Sequence, residues 1–446
     1  MSRIKSLPIV AIIGRPNVGK STFFNAIIGR RISIVEDTPG VTRDRIYADT
    51  SWTGRGFTLV DTGGIDTQSE DVFLSQMRFQ AQLAIETADV ILFFVDARDG
   101  LMHQDEEIAH MLRQADKPII LVANKVDSEK QEDNIYEYYS LGLGDPMPIS
   151  SANLLGLGDL LDSIVSKLPE DSGDDEHSNA VQVAIVGRPN VGKSSLVNKL
   201  LGENRVMVSD IPGTTRDAID TPFEHENGTV YNLIDTAGIR KKRSIEDASI
   251  ERYSVIRSFA AIRRADIVLI MIDANDGVTQ QDAKIAGIAK DEGKASIIVV
   301  NKWDMLDKVT GTLENYQKEV LEKLNFINYS PVMFISALTG QRTHTIFETI
   351  DRVYAQAGKL IPTGLLNDCI GEAQLNLQAP FIGGKRLRIY YATQFGSFPP
   401  SFLLFVNDET LMHFSYGRYL ENQLRRSFGF EGTPIRFTLR ERKQEE

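Results

Sequence analysis

Eight residues near the start of the chain, Gly14-Arg15-Pro16-Asn17-Val18-Gly19-Lys20-Ser21, combine three chemistries at a fixed spacing. The glycines let a backbone wrap an anion with its N–H groups turned inward. Lys20 supplies charge to the outer phosphates of a phosphate chain, and the Ser21 hydroxyl reaches a Mg²⁺ ion, which takes oxygen ligands in octahedral geometry. The same residue types return as Gly187-Arg188-Pro189-Asn190-Val191-Gly192-Lys193-Ser194. Each run stands between an apolar stretch and a helical one, the context that a phosphate-binding loop requires.

A second pattern follows each loop. Asp61-Thr62-Gly63-Gly64-Ile65 returns as Asp235-Thr236-Ala237-Gly238-Ile239. Asp61 and Asp235 are expected to touch the Mg²⁺ shell through water. Gly64 and Gly238 are expected to offer a backbone N–H to the terminal phosphate. That contact exists only with a triphosphate, so it orders the next segment and releases it on hydrolysis. Between these patterns lie Pro39-Gly40-Val41-Thr42-Arg43-Asp44 and Pro212-Gly213-Thr214-Thr215-Arg216-Asp217. They read as mobile loops whose Thr42 and Thr215 complete the Mg²⁺ shell. Lys20, Thr42 and Gly64, with Lys193, Thr215 and Gly238, are the expected catalytic groups.

Asn124-Lys125-Val126-Asp127 and Asn301-Lys302-Trp303-Asp304 select the base. An aspartate accepts two hydrogen bonds from the N1–H and 2-amino groups of guanine, and adenine presents no donors there. A polar site left unpaired rejects the wrong ligand by up to roughly 10⁴–10⁵. The lysine stem covers the base, and the asparagine ties this loop to the phosphate loop. A further loop, Ser150-Ser151-Ala152, mirrored by Ser336-Ala337-Leu338, is expected to offer a backbone N–H to the base carbonyl. The ligand is therefore GTP or GDP.

These residues must be held by a repeated scaffold. Order and spacing of the motifs are kept across a period of about 170 residues, far too long for a solenoid. In the first copy Val10–Ile13, Thr58–Val60, Val90–Val95 and Ile119–Ala123 read as buried strands. Val183–Val186, Asn232–Ile234, Ile267–Ile272 and Ser296–Val300 match them in the second. Strands alternating with helices imply doubly wound, mainly parallel α/β sheets, with ligands beyond the carboxyl ends of the strands. The expected boundaries are 7–168 for the first nucleotide domain, 169–180 for an acidic linker, 181–358 for the second domain and 359–446 for a small α+β domain. The last has a helix at Leu365–Leu377, strands at Lys385–Tyr391 and Ser401–Val406, a helix at Tyr416–Phe428 and a strand at Thr433–Arg440.

Composition bounds the rest. The chain has 446 residues, 42% hydrophobic and 25% charged, which fits about three ordinary globular domains. A single cysteine, Cys369, favours a reducing compartment and reads as a small core residue. No apolar run approaches the ~20 residues of a membrane span, and the opening residues do not read as a signal peptide. A cytoplasmic location is expected. The net charge of −12 argues against coating a membrane or nucleic acid with the whole surface.

Tandem phosphate-loop domains, each with Gly-Arg-Pro-Asn-Val-Gly-Lys-Ser, Asp-Thr-x-Gly-Ile and Asn-Lys-x-Asp, and a small α+β module behind them, resemble the bacterial double-GTPase family called Der or EngA. The resemblance covers nearly the whole chain. It implies two Era-like P-loop GTPase domains, a KH-like C-terminal domain, association with the large (50S) ribosomal subunit and a role in its late assembly. Neither membrane nor DNA is expected as a partner, and a monomer is expected. The alternatives are a GTPase that serves another RNA or protein partner, and one domain that only senses nucleotide. Ile65 and Ile239 stand where many GTPases carry a water-orienting glutamine. Related GTPases use K⁺ there, held by the asparagine that Asn17 and Asn190 match, so K⁺-stimulated hydrolysis is expected.

In the third module Lys385-Arg386-x-Arg388 and Arg425-Arg426 are candidate RNA contacts. Gly429-Phe430-Glu431-Gly432 has the Gly-x-x-Gly spacing of an RNA clamp but lies between a helix and a strand, so it reads as a helix cap and turn. Tyr390, Tyr391 and Phe395 read as core. Arg240-Lys241-Lys242-Arg243, directly after Asp-Thr-Ala-Gly-Ile, is placed to report nucleotide state.

Overall fold

A computed structural model of the chain describes residues 7–28, 47–61, 78, 81–127, 134–169, 180–203, 220–225, 228–234, 249–307 and 309–441, the side chains of 203 and 249–254 excepted. The two expected nucleotide domains have the same sheet. In the first, β1 (Ile9–Ile13), β2 (Tyr47–Trp52), β3 (Arg55–Asp61), β4 (Val90–Asp96), β5 (Ile119–Asn124) and β6 (Met147–Pro148) lie in the order β2-β3-β1-β4-β5-β6. In the second, β7 (Val181–Val186), β8 (Thr221–Glu224), β9 (Val230–Ile234), β10 (Ile267–Asp273), β11 (Ala295–Asn301) and β12 (Val332–Phe334) repeat it as β8-β9-β7-β10-β11-β12. All neighbours are parallel except β2 with β3 and β8 with β9.

The central strands explain the pattern. Every residue of β4 and of β10 is buried, because helices cover both faces of a parallel sheet. The sequence misses the edges. β2 reads Tyr-Ala-Asp-Thr-Ser-Trp and is mostly half-buried, so no apolar run announces it. Among the described residues, one cluster of buried side chains in each domain joins one face of the sheet to its helices. Phe23 and Phe94 meet in the first, and Phe223, Tyr231 and Phe347 meet in the second.

The third module shares one compact unit with the second nucleotide domain. It consists of α9 (Thr363–Asn376), a short hairpin of β13 (Phe381–Ile382) and β14 (Lys385–Arg386), then β15 (Ile389–Gly396), β16 (Ser401–Val406), α10 (Phe414–Phe428) and β17 (Arg436–Glu441). The other α-helices among the described residues, α1–α8, are Lys20–Ile28, His103–Arg113, Leu157–Lys167, Lys193–Glu203, Ser249–Arg264, Gln280–Asp291, Thr312–Lys323 and Thr345–Ala357. β16 is central, antiparallel to β15 and parallel to β17. Apart from the inserted β13–β14 hairpin, the α-β-β-α-β order is as expected, with three corrections. Lys385–Tyr391 is not one strand: its start belongs to the hairpin and its end opens β15. Tyr390, Tyr391 and Phe395 are not core but 48, 47 and 46% exposed: a register shift between Ile389 and Tyr391 turns both tyrosines outward, and Phe395 lies on the outward side of the alternation that follows. Cys369 sits half-buried at the rim of the core, its Sγ 3.5 Å from Ser427 Oγ.

The Gly429–Gly432 segment is a cap and turn. Gly429 follows α10 at φ 92°, and the Phe430 ring is wholly buried. The turn also docks on the second domain. Ser296 N–H donates to the Gly432 carbonyl at 2.7 Å, and Gly432 N–H donates to the Tyr329 carbonyl at 2.8 Å. Arg425, an expected RNA contact, is bonded into this joint and to Glu421 of its own helix. It donates to the carbonyls of Phe430 and Thr433 and lies 4.3 Å above the Tyr329 ring.

Candidate functional site

Both phosphate loops join a buried strand to a helix. β1 passes through Gly14–Gly19 into α1, and β7 passes through Gly187–Gly192 into α4. The glycines are required by contact as well as by φ. A Cβ on Gly14 would stand 2.3 Å from the Phe94 carbonyl oxygen, and one on Gly187 would stand 2.6 Å from that of Met271. Asn17 and Asn190 hold left-handed backbone at φ 62° and 65°, a conformation that asparagine tolerates better than most residues.

The lysines curl back over their loops. Lys20 Nζ donates to the Gly14 and Arg15 carbonyls at 2.7 Å each, and Lys193 Nζ to those of Gly187 and Arg188 at 2.6 and 2.7 Å. Lys20 is 5% exposed. Burial pushes its pKa down to about 8, Asp61 opposing the shift and Arg15 adding to it.

Ser21 Oγ donates to Asp61 Oδ2 at 2.8 Å. Adjacent ligands of an octahedral Mg²⁺, each at roughly 2.1 Å, stand about 3 Å apart. These two hard oxygen donors therefore suit the ion's inner or outer sphere. In the second copy Ser194 is described and Asp235 is not.

The base motif is tied to the phosphate loop as expected. Asn124 Nδ2 donates to the Val18 carbonyl at 2.7 Å, and Asn301 Nδ2 to that of Val191 at 2.7 Å. Each asparagine also accepts from the third loop. Ser151 N–H donates to Asn124 Oδ1 at 3.0 Å, and Ala337 N–H to Asn301 Oδ1 at 2.9 Å. The Ser151 hydroxyl adds a second bond at 2.9 Å that alanine cannot make. The N–H groups of Ser150 and Ser336 close their own loops, onto Leu155 and Gln341. So the N–H groups expected to read the base carbonyl already have acceptors. Val126 N–H and Trp303 N–H donate to the Ile149 and Ile335 carbonyls, which fixes each motif against the next strand.

Asp127 Oδ1 accepts from Ser150 Oγ at 2.6 Å and Asn153 Nδ2 at 2.8 Å, and its Oδ2 pairs with Arg98. The Ser150 hydroxyl and the Arg98 guanidinium hold its carboxyl below the usual range, against a smaller cost of burial. Asp304 is exposed.

Thr42, Thr62, Gly63, Gly64, Ile65, Thr215, Thr236, Ala237, Gly238, Ile239 and the Arg240–Arg243 cluster, like Asp235, lie outside the described residues.

The structure adds acidic residues that lie outside the sequence motifs. Lys125 Nζ is 2.5 Å from Asp96 Oδ2, and Lys302 Nζ is 2.5 Å from Asp273 Oδ2. Arg15 reaches Asp99 at 3.1 Å and Asp105 at 3.2 Å, and Arg188 pairs with Asp276. Burial lifts the Asp105 pKa to about 6, Arg15 opposing it. Asp105 and Asp282 also sit in the first turns of α2 and α6, where each accepts a backbone N–H. One signal could have found them: Asp96-Ala97-Arg98-Asp99-Gly100 returns as Asp273-Ala274-Asn275-Asp276-Gly277 after the most apolar strand of each copy.

Two phosphate loops on parallel sheets, each bonded to an Asn-Lys-x-Asp loop, define a tandem guanine-nucleotide P-loop GTPase. Residues 9–125 and 182–302 match the family described as 50S ribosome-binding GTPase, and residues 360–440 match the KH-domain-like C-terminal domain of EngA bacterial GTPases. GTPase Der of Ruminiclostridium cellulolyticum is 59% identical over 98% of this chain and 99% of that protein. GTPase Der of Alkaliphilus metalliredigens is 58% identical over 98% of each. The chain belongs to the GTPase Der family and is a GTP-hydrolysing enzyme with two nucleotide domains. No helix among the described residues is long and apolar enough to cross a membrane.

Proposed function

We propose that this chain is a two-site GTP switch whose nucleotide state governs its association with the large ribosomal subunit during assembly. The supporting observation is that both copies carry the same bonded junction of phosphate loop, base motif and third loop through Asn124 and Asn301. Two intact junctions argue against one copy being a relic. The description of the matched family, 50S ribosome-binding GTPase, supports the partner. The chain acts as a monomer in the cytoplasm, its domains bounded at 7–168, 181–358 and 359–446.

In this reading the loop amides, Lys20 and Lys193 hold the phosphates, and Asp127 and Asp304 read the guanine edge. Ser21 and Asp61, with Ser194 and Asp235, hold Mg²⁺, joined in the triphosphate state by Thr42 and Thr215. The ion neutralises phosphate charge. Gly64 and Gly238 sense the terminal phosphate. Asn17 and Asn190 hold K⁺ beside it, and equal turnover in K⁺ and Na⁺ at matched ionic strength would remove that element. The Ser151 and Ala337 N–H groups are shared between their asparagine and the base carbonyl.

Sedimentation with isolated large subunits, in a non-hydrolysable GTP analogue and in GDP, tests the switch. Association should differ between the nucleotides. Equal binding in both sinks the reading. One observation favours a division of labour: Arg98 pairs with Asp127, whereas the corresponding residue in the second copy is Asn275. The first copy would then act as the weaker, sensing site, and Lys20→Ala and Lys193→Ala, assayed separately, measure it.

A further inference from the structure

We propose that Asp96 and Asp273 are positioning residues for guanine recognition, each anchoring the lysine of Asn-Lys-x-Asp over the base site and away from the base-reading carboxylate. The inference rests on the reading that this motif holds the base.

The geometry is the same in both copies. Asp96 and Asp273 are the last residues of β4 and β10, each wholly buried at the strand's carboxyl end. In the parallel register Asp96 lies beside Asn124, and Asp273 beside Asn301. Each therefore adjoins the residue before the lysine. The lysines themselves adopt left-handed backbone, Lys125 at φ 68° and Lys302 at φ 62°. That is costly for a residue with a Cβ and is kept where surroundings enforce it. The carboxylate is one such constraint, at 2.5 Å from Nζ in each copy.

The aspartates are themselves fixed. Asp96 Oδ1 accepts from Arg98 N–H at 3.0 Å, and Asp273 Oδ1 from Asn275 N–H at 3.0 Å. Tyr138 Oη donates to the Asp96 carbonyl at 2.6 Å, and Tyr316 Oη to the Ala274 carbonyl at 2.9 Å. Burial works against charge at Asp273, but the Lys302 ammonium and the Asn275 N–H outweigh it and leave the carboxyl below its ordinary range.

Two consequences follow for binding. A lysine already held in one rotamer gives up less freedom when a base settles beneath its stem. An ammonium committed to Asp96 also does not swing two residues along the chain to Asp127, where it would compete with the guanine N1–H and 2-amino donors. Asp96 and Asp273 touch no ligand in this scheme, because they act through the lysine.

The test uses the full chain with one copy silenced: Lys193→Ala for the first copy, Lys20→Ala for the second. GDP affinity is measured by calorimetry. Asp96→Asn and Asp273→Asn should each weaken GDP binding at their own copy about tenfold, less than the loss of a fully buried charge pair because the lysine of each pair is about one-third exposed. Lys125→Met should lose a similar factor, and adding Asp96→Asn to it should change GDP affinity no further. Unchanged GDP affinity in Asp96→Asn or in Lys125→Met overturns the proposal. So does an equal loss from Asp96→Asn with and without Lys125, since the aspartate would then act by another route. If Asp96→Asn does not fold, Lys125→Met and the second-copy pair decide the matter. Asp127→Ala separates the two levels. If it abolishes GDP binding while Asp96→Asn has no effect, only the anchoring idea falls. If it leaves GDP binding intact, the reading of the motif falls.

Discussion

Arg98 is ion-paired with Asp127, the carboxylate whose place in the motif assigns it to the guanine base. Guanine binding must break or share that pair. The second copy has Asn275 at the matching position, and it donates to Asp273. Side-chain exposures of 56% and 20% put the Arg98–Asp127 pair near the surface, where such contacts contribute about 0–1 kcal/mol. Arg98→Asn should therefore tighten GDP binding at the first copy by about two- to fivefold, with a weaker dependence on salt. Titrations in a Lys193→Ala background at low and high ionic strength measure both, and weaker binding by Arg98→Asn would mean that the arginine assists the nucleotide.

Lys20 makes the first site sensitive to alkali. Its pKa in the folded protein is about 8 against an ordinary 10.5, because burial disfavours its charge. A phosphate chain beside it restores the charged form, so above pH 8 nucleotide binding takes up a proton. Affinity should fall by up to about tenfold per pH unit above 8. Stability of the ligand-free domain has the opposite sign: between pH 8 and 10.5 the unfolded chain binds more protons at this residue, so the contribution of Lys20 to stability rises with pH. Calorimetry in buffers of differing ionisation enthalpy detects the proton uptake, and its absence at pH 9 would refute the assignment.

What the sequence revealed follows from the range of each interaction. The phosphate loops and Asn-Lys-x-Asp were legible because neighbouring residues carry their chemistry. The Asn124 tie to the phosphate loop was legible too, since it follows from which strands end together. Asp96 was not, although its partner Lys125 belongs to a motif, because the pair forms between adjacent strands 29 positions apart in number. Tyr390 and Tyr391 misled because a register shift, invisible in an aromatic run, puts both at the surface. Gly429–Gly432 was readable as a turn, but nothing local said that Gly432 would exchange hydrogen bonds with Ser296 and Tyr329.

The junction at Asn301 predicts a coupled loss. Its side chain bonds the Val191 carbonyl and the Ala337 N–H, and both would lose their partner in Asn301→Ala. Each buried group left unsatisfied costs about 1–3 kcal/mol. Gly192→Ala attacks the same point from the other side, since its Cβ would stand 2.2 Å from Asn301 Nδ2 at φ +100°. Both variants should abolish nucleotide uptake at the second copy and leave the first unaffected, so bound GDP per chain halves. Retention of full stoichiometry by Gly192→Ala would show that the junction yields without consequence.

Arg425 should be a stability residue of the joint between the second domain and the third module. Its Nη1 donates to the Phe430 carbonyl at 2.6 Å and its Nη2 to that of Thr433 at 2.9 Å, with the Tyr329 ring 4.3 Å away. Phe430 and Thr433 are fully buried, so water cannot readily replace the guanidinium. The Thr433 carbonyl loses its donor and the Phe430 carbonyl keeps only the Thr433 N–H at 3.4 Å; with the Glu421 ion pair and a cation–π contact of about 1–2 kcal/mol also lost, Arg425→Ala should cost about 2–5 kcal/mol. Arg425→Lys should recover only part, because one ammonium cannot match the planar fork that serves both carbonyls and the ring. Arg426→Ala, at the exposed neighbouring position, should stay within about 0.5 kcal/mol. Urea unfolding followed on the second domain measures all three. Because Ser296, bonded to the same turn, lies in the strand that ends at Asn301, GDP bound at the second copy should offset part of the Arg425→Ala loss. Equal stability of Arg425→Ala and Arg426→Ala would return Arg425 to the surface, as a residue free to meet RNA.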